Sequence, residues 1–319
     1  MNKLIFFVCL ILSVDTTCIF GQAMMGPYWL YDNHHLTDKY ILNPAFAGIK
    51  YDPKVFVSTQ RMEIQLREAP TIHLLGGHGR LDFGRKNRYS ERNSRNGVGG
   101  LVFADINGPY QAVGIKFDYA YILPLNRDNT NLSLGLGGML FSKRVNLNKY
   151  NSMPIDDPII AANMGNKTIV PDFNAGVLFT RRQFYAGFSV SQLMENSFHF
   201  SSLNYTPASI YRNFYLMTGY RFVYDWFELE PSIVGGYNFA PESYSNNGKF
   251  VDINMECFLK PVVFTLSYRL DGFLTTAVLY RIPELELGIR FDLFSTNASD
   301  ARFNSIGLMA SYTFLKNAR

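Results

Sequence analysis

The stretch Glu284-Leu285-Glu286-Leu287-Gly288-Ile289-Arg290-Phe291-Asp292-Leu293 alternates apolar and polar residues without a break. Successive side chains of a strand point to opposite faces. Leu285, Leu287, Ile289, Phe291 and Leu293 therefore share one face, and Glu284, Glu286, Gly288, Arg290 and Asp292 the other. At helical spacing the same charges would scatter around the whole cylinder. The stretch reads as a β-strand with one apolar and one charged side.

The pattern recurs. Val251, Ile253, Met255 and Cys257 alternate with Asp252, Asn254 and Glu256, and Val113, Ile115, Phe117, Tyr119 and Tyr121 alternate with Gly114, Lys116, Asp118 and Ala120. Ile306, Leu308, Ala310, Tyr312 and Phe314 form a further such face. In order, strands are expected near 53–64, 69–82, 96–106, 110–124, 131–145, 171–181, 183–191, 211–223, 226–239, 249–258, 262–270, 274–280, 284–293 and 305–314. That is about fourteen, an even number, many near the ~10 residues a tilted membrane-spanning strand needs. No helix longer than a turn or two is demanded. The expected fold is all-β: a transmembrane antiparallel β-barrel of about 14 strands.

Composition agrees with that class. Phe 27 and Tyr 20 favour strands and aromatic girdles. Hydrophobic content of 47% and a mean hydropathy of −0.03 do not indicate a helical membrane protein. The N-terminus reads as a secretory signal, with Lys3 before the apolar Leu4–Val14 and cleavage between Gly21 and Gln22. A lipoprotein reading through Cys18 is weaker, because Asp15 stands where a small apolar residue is wanted. Cleavage leaves Cys257 alone, so no internal disulfide is expected. The net charge of +4 is too mild to argue for nucleic acid. The organisation expected is a signal peptide over 1–21, an N-terminal periplasmic segment over 22–52, and the barrel over 53–319.

Connections between strands have two characters. Arg181-Arg182, Tyr224-Asp225, Leu259–Pro261 and Arg281–Pro283 are tight, whereas 146–170, 192–210, 240–248 and 294–304 are long. Short turns at one end and long loops at the other are the mark of an outer-membrane barrel, with loops outside the cell and termini in the periplasm. The short 65–68 and 107–109 and the long 83–95 run against that rule. The expected lumen set is Lys116, Asp118, Arg221, Glu228, Glu230, Asp252, Glu256, Arg269, Glu284, Glu286, Arg290 and Asp292. On the lipid face each such charge would cost ~2–4 kcal/mol. Gly97, Gly99, Gly100, Gly135, Gly137 and Gly138 suit bends or close approach in a curved sheet. No helix follows Gly97–Gly100, so a nucleotide-binding loop is a poor reading.

Two segments stand out as candidate partner-binding sites. Asn43, Pro44, Ala45, Phe46, Ala47 and Gly48 read either as a plain turn before the first strand or as a piece that packs under the barrel or binds a periplasmic partner. Arg85, Lys86, Arg88, Arg92 and Arg95, offset only by Asp82 and Glu91, read either as a solvated turn or as a docking surface for an acidic partner or phospholipid headgroups. His34, His35, His73, His78 and His199 lack metal-ligand spacing, and no Ser, His and acid can be placed together. No catalytic residue, metal or cofactor is expected.

With these pieces in order, the chain resembles the PorP/SprF family of outer-membrane proteins of the Bacteroidetes type IX secretion and gliding systems. The residues that carry the resemblance are Asn43–Gly48, Gln60-Arg61 with Ala69-Pro70-Thr71, Asn96–Gly100 through Asp105 to Gly108-Pro109, and Tyr119-Ala120-Tyr121. Further on come Pro171-Asp172-Phe173-Asn174-Ala175-Gly176, Tyr185–Ser189 with Leu193, Glu230-Pro231-Ser232, Ser267-Tyr268-Arg269 and Ser311–Phe314. Two departures are the missing aromatic after Arg61 and the five residues beyond Phe314. The resemblance implies a non-enzymatic outer-membrane barrel that supports export or surface anchoring of a secreted protein bearing a type IX C-terminal signal. Its implied partners are outer-membrane lipid, periplasmic type IX components and that secreted protein, with no nucleic acid. The alternative is a transport channel for a small solute or hydrophobic nutrient.

Overall fold

The computed structural model describes residues 33–50, 52–62, 64, 69–81, 95–108, 110–126, 129–145, 167–198, 208–239, 249–270, 272–294 and 304–315. Three short 3₁₀ turns come first, over Asn33–Leu36, Lys39–Ile41 and Pro44–Phe46. Strands follow in chain order: β1 (Lys54–Arg61), β2 (Thr71–Leu81), β3 (Arg95–Asn107), β4 (Tyr110–Asn126), β5 (Thr130–Val145), β6 (Lys167–Arg181) and β7 (Phe184–Ser191). A two-residue pair, β8 (Ser197–Phe198) and β9 (Ala208–Ser209), stands apart from the main sheet. Then come β10 (Asn213–Tyr220), the spur β11 (Phe222–Val223), β12 (Glu228–Asn238) and β13 (Phe250–Leu259). The last four are β14 (Val262–Arg269), β15 (Phe273–Arg281), β16 (Leu285–Phe294) and β17 (Asn304–Thr313).

Setting aside β8, β9 and β11, these form a closed 14-strand antiparallel barrel. Sequential neighbours pair throughout. The ring closes where Lys54 meets Thr313 and Arg61 meets Ile306, and β10 joins β12 directly from Asn213↔Asn238 to Gly219↔Ser232. Closure leaves no strand edge unpaired in the ring, which a backbone surrounded by hydrocarbon requires. The fourteen expected strands are these fourteen. Two ends differ for a physical reason. β6 begins at Lys167, because Lys167–Val170 still find partners at Arg144–Phe141. The strand expected over 211–223 breaks after Tyr220, and its last two residues pair instead with Leu229 and Glu228.

The sidedness is that of a membrane barrel. Leu287, Ile289, Phe291 and Leu293 are 44–49% exposed on the outer surface, while Arg290 and Asp292 between them are each 1% exposed. Phe117, Leu136, Phe173, Leu216, Leu266 and Leu308 likewise point outward. In a soluble sheet the apolar face would be the buried one. No helix among the described residues is long and apolar enough to cross a membrane.

The two rims differ. The rim bearing the start of β1 and the end of β17, here the turn rim, has close connections at Arg182-Gln183, Lys260-Pro261 and Ile282–Glu284. The opposite loop rim carries the long links from β5 to β6 and from β7 to β10. The basic residues Arg85, Lys86, Arg88 and Arg92 fall outside the described residues, as do most of the long loops and His199; Arg95, the first residue of β3, is exposed at the turn rim.

Candidate functional site

Residues 33–49, expected in a periplasmic segment, lie inside the barrel. Their partners come from strands on all sides of it, from β2 through β7 and from β12 through β16. The physical reason lies in composition. Tyr40-Ile41-Leu42 and Ala45-Phe46-Ala47 are apolar runs too short to span or to fold alone, and the inner wall offers them a place out of water. Tyr40, Ile41, Leu42, Ala45, Phe46 and Ala47 are buried and join one apolar cluster with wall residues such as Phe56, Leu74, Phe103, Phe141, Leu178 and Tyr215.

The first half of this plug, Asn33–Lys39, meets the wall through polar groups. The Asn33 side-chain amide donates to Thr275 Oγ1 at 2.8 Å and its carbonyl accepts from Arg269 Nη2 at 2.7 Å. Arg290 Nη1 donates to the Asn33 backbone carbonyl at 3.1 Å. Asp38 pairs with Lys54 at 3.0 Å and with His78 at 3.3 Å, and its side chain also caps the next turn by accepting from the Tyr40 backbone N–H. Burial opposes ionisation of Asp38, but Lys54 and His78 outweigh it and hold the carboxyl well below its usual range. Lys39 bridges Glu230 at 2.9 Å and Glu256 at 3.2 Å. Burial works against its charge, and Glu256, Tyr185 and Glu230 overcome that and hold the ammonium above its usual range.

The second half, Tyr40–Gly48, is keyed into the wall of β2 to β7. Tyr40 donates its hydroxyl to Asp118 Oδ2 at 2.5 Å. Burial, then the Asp118 charge, raises the phenol above its usual range. Lys116 donates to the Ile41 carbonyl, Ser189 to the Leu42 carbonyl and Ser133 to the Ala45 carbonyl. Asn43 accepts from the Ala45 N–H, opening the last 3₁₀ turn, and donates to the Val177 and Phe188 carbonyls. Arg80 donates to the carbonyls of Gly48 and Ile49. A Cβ on Gly97 would stand 1.9 Å from the Ala47 carbonyl oxygen, and one on Gly135 2.3 Å from the Ala45 nitrogen. Gly48 itself has φ +67, in the left-handed region, where the chain turns out toward β1.

The expected lumen charges do face inward, and most are paired. Arg269 grips Asp252 at 2.6 and 2.9 Å, and Arg221 reaches Glu230 at 2.6 Å and Glu228 at 3.3 Å. Arg281 meets Glu286 at 2.7 Å, and Lys116 meets Asp118 at 3.3 Å. Glu284 lies at the rim and is exposed. Asp292, on β16, accepts from Gln60, Thr275 and Ser305 at 2.7 Å each and so ties β1, β15, β16 and β17 together.

Asn43–Gly48, a candidate partner surface in the sequence, are thus taken up by the barrel's own wall. The plug as a whole was not legible as such. Its signal was in the inward glycines, which alternate with apolar residues at Gly97/Gly99 and Gly135/Gly137. Of the six glycines noted for bends or close approach, these four face the plug or its partners, whereas a Cβ on Gly100 or Gly138 would meet only ordinary contacts at 3.8 Å, with Phe117 and Phe173 among them. No group of three His, Cys, Asp or Glu able to hold a metal occurs among the described residues.

No curated protein matches the chain. Among solved structures it is similar to the TodX monoaromatic hydrocarbon channel in a deltaS2 mutant, at 8% identity and TM-score 0.48, covering 87% of this chain and 94% of that one. It is also similar to the CymD monoaromatic hydrocarbon channel, at 10% identity and TM-score 0.48, covering 92% and 94%. The model of the type IX secretion system membrane protein PorP/SprF matches residues 30–312. That match runs from just before the plug to the last strand, so the chain belongs to the PorP/SprF family of type IX secretion system membrane proteins.

Proposed function

We propose that this barrel sits in the outer membrane and serves type IX secretion by binding, as an accessory or anchoring component. Its loop rim faces outward and holds a secreted partner with a type IX C-terminal signal. Its turn rim faces the periplasm, where the basic stretch holding Arg85, Lys86, Arg88 and Arg92, with Arg95 after it, meets the secretion apparatus. The observation that carries the reading is the plug: a lumen filled by the chain's own apolar segment, in a member of this family, suits a holding surface better than a conduit. Asn43–Gly48 would act from within, by fixing the wall against which the rims are set.

Gene deletion tests it. Loss of one surface protein with general export intact is the expected result, and an unchanged set of surface proteins would overturn the proposal. Conductance of the purified protein in planar bilayers separates the rival: a silent barrel fits anchoring, whereas a steady open pore fits transport of a small solute.

A further inference from the structure

The two halves of the plug are held in different ways. Tyr40–Gly48 is close-packed, apolar and seated on glycines that admit no side chain. Asn33–Lys39 lies on the wall of β12–β16 through the hydrogen bonds of Asn33 and the ion pairs of Lys39, with Asp38 reaching across to Lys54 and His78, and its fit is poor. His35 is 4% exposed, yet neither ring nitrogen has a partner, and the Thr37 hydroxyl is also without one. The wall mirrors this. Asn254 is 1% exposed with neither its amide oxygen nor its nitrogen bonded, and its register partner Ser267 is fully buried with an idle hydroxyl. Buried polar groups are nearly always paired, and each orphan carries a penalty. All of these atoms are closed off from solvent.

We propose that the inner wall of β12–β16 is a binding site for an extended peptide, and that Asn33–Lys39 is its displaceable stand-in. The inference rests on reading the barrel as a binding component. The seated segment shows what chemistry the wall accepts. Arg269 and Arg290 take an amide or carboxylate side chain and a backbone carbonyl, as they take those of Asn33. Glu230 and Glu256 take a cation, as they take Lys39. Asn254, whose flat amide offers N–H donors on one side and an acceptor oxygen on the other, can pair with the C=O and N–H of an extended peptide. A peptide that satisfies Asn254 and Ser267 removes the penalty that the chain's own segment leaves in place. Tyr40–Gly48 stays fixed while this exchange occurs, so the barrel keeps its core.

The test is binding of a fluorescent peptide with the sequence of residues 33–39 to the purified full-length protein and to a variant lacking residues 33–39. The expected result is saturable binding to the deletion variant, at least tenfold tighter than to the intact chain, absent with a scrambled peptide and weakened at least tenfold by Glu256→Gln, which removes a carboxylate that takes Lys39. A folded deletion variant that prefers neither peptide would overturn the proposal. Should the deletion prevent folding, hydrogen exchange on the intact protein decides. Amides of 33–39 exchanging at least tenfold faster than those of 40–48 support a displaceable segment, and equal protection refutes it. Secretion plays no part in either measurement, so this inference can fail while the secretion reading stands.

Discussion

Three residues show how far single side chains govern the lumen. Asp292 accepts three hydrogen bonds from three strands and lies beside Arg290. Asp292→Ala strands buried donors on each of those strands, and the expected loss is roughly 3–5 kcal/mol, read as a lower temperature of the heat-modifiable gel shift. Gly135→Ala forces a Cβ against the Ala45 backbone and should cost about 1–3 kcal/mol on the same assay. Gly138→Ala, three positions along, meets nothing nearer than 3.8 Å and should be neutral. His35 carries a pH dependence. Burial, reinforced by Arg269, Lys39 and Arg290 and opposed by Asp252, lowers its pKa from 6.5 to about 4. A released segment takes up the proton below pH 6.5 while a seated one does not, so seating is strongest above 6.5 and weakens as pH falls toward 4. The full effect is roughly 3 kcal/mol. His34 is lowered too, also mainly by burial, and acts in the same direction. Hydrogen exchange over 33–39, corrected for intrinsic rates, should rise between pH 7 and 5, and the double variant His34→Gln/His35→Gln should flatten that rise.

At the scale of the element, the period of two carried the reading. Glu284–Leu293 has a side chain pattern that only a strand can sort, and β16 sorts it with leucines outward and Arg290 and Asp292 inward. Leu287→Arg places a charge in hydrocarbon and should cost about 2–4 kcal/mol if Leu287 lies near mid-membrane, blocking assembly into the outer membrane. Glu286→Gln keeps the shape and loses one half-exposed ion pair with Arg281, so it should cost under about 1 kcal/mol. Equal tolerance at both positions would contradict the lipid-facing assignment. Strands were legible because each strand's two faces are set by its own sequence. The 3₁₀ turns over Asn33–Phe46 were not, since they are three or four residues long and have no period. What places the last two is a fit to glycines some fifty to one hundred and thirty residues away in the chain, from Gly97 to Gly176. The motif Asn43–Gly48 could be seen, and the inward glycines could be seen, but nothing local joins them.

The whole molecule divides along its plug. On the side of β2–β7 the lumen is an apolar core like that of a soluble protein, and the plug is part of it. On the side of β12–β16 the lumen carries charges paired across strands, beside a smaller apolar cluster of Phe258, Val263, Ala277, Leu279 and Met309. Damage on the two sides should therefore have different outcomes. Gly97→Leu or Gly176→Leu displaces the segment that fills the core, and the barrel should fail to assemble, because the buried side chains of Tyr40–Ala47 lose their seat. The paired change Asn33→Ala/Lys39→Ala removes contacts to Thr275, Arg269, Glu230 and Glu256 and leaves the core intact. That variant should assemble with a normal heat-modifiable shift and, in planar bilayers, pass brief currents that the wild-type barrel lacks. Currents of equal size from both proteins, or none from either, would mean that Asn33–Lys39 does not govern access to the lumen. A collapse of assembly in the paired variant would mean that the polar half is as structural as the apolar one, and that the lumen has one core rather than a core and a site.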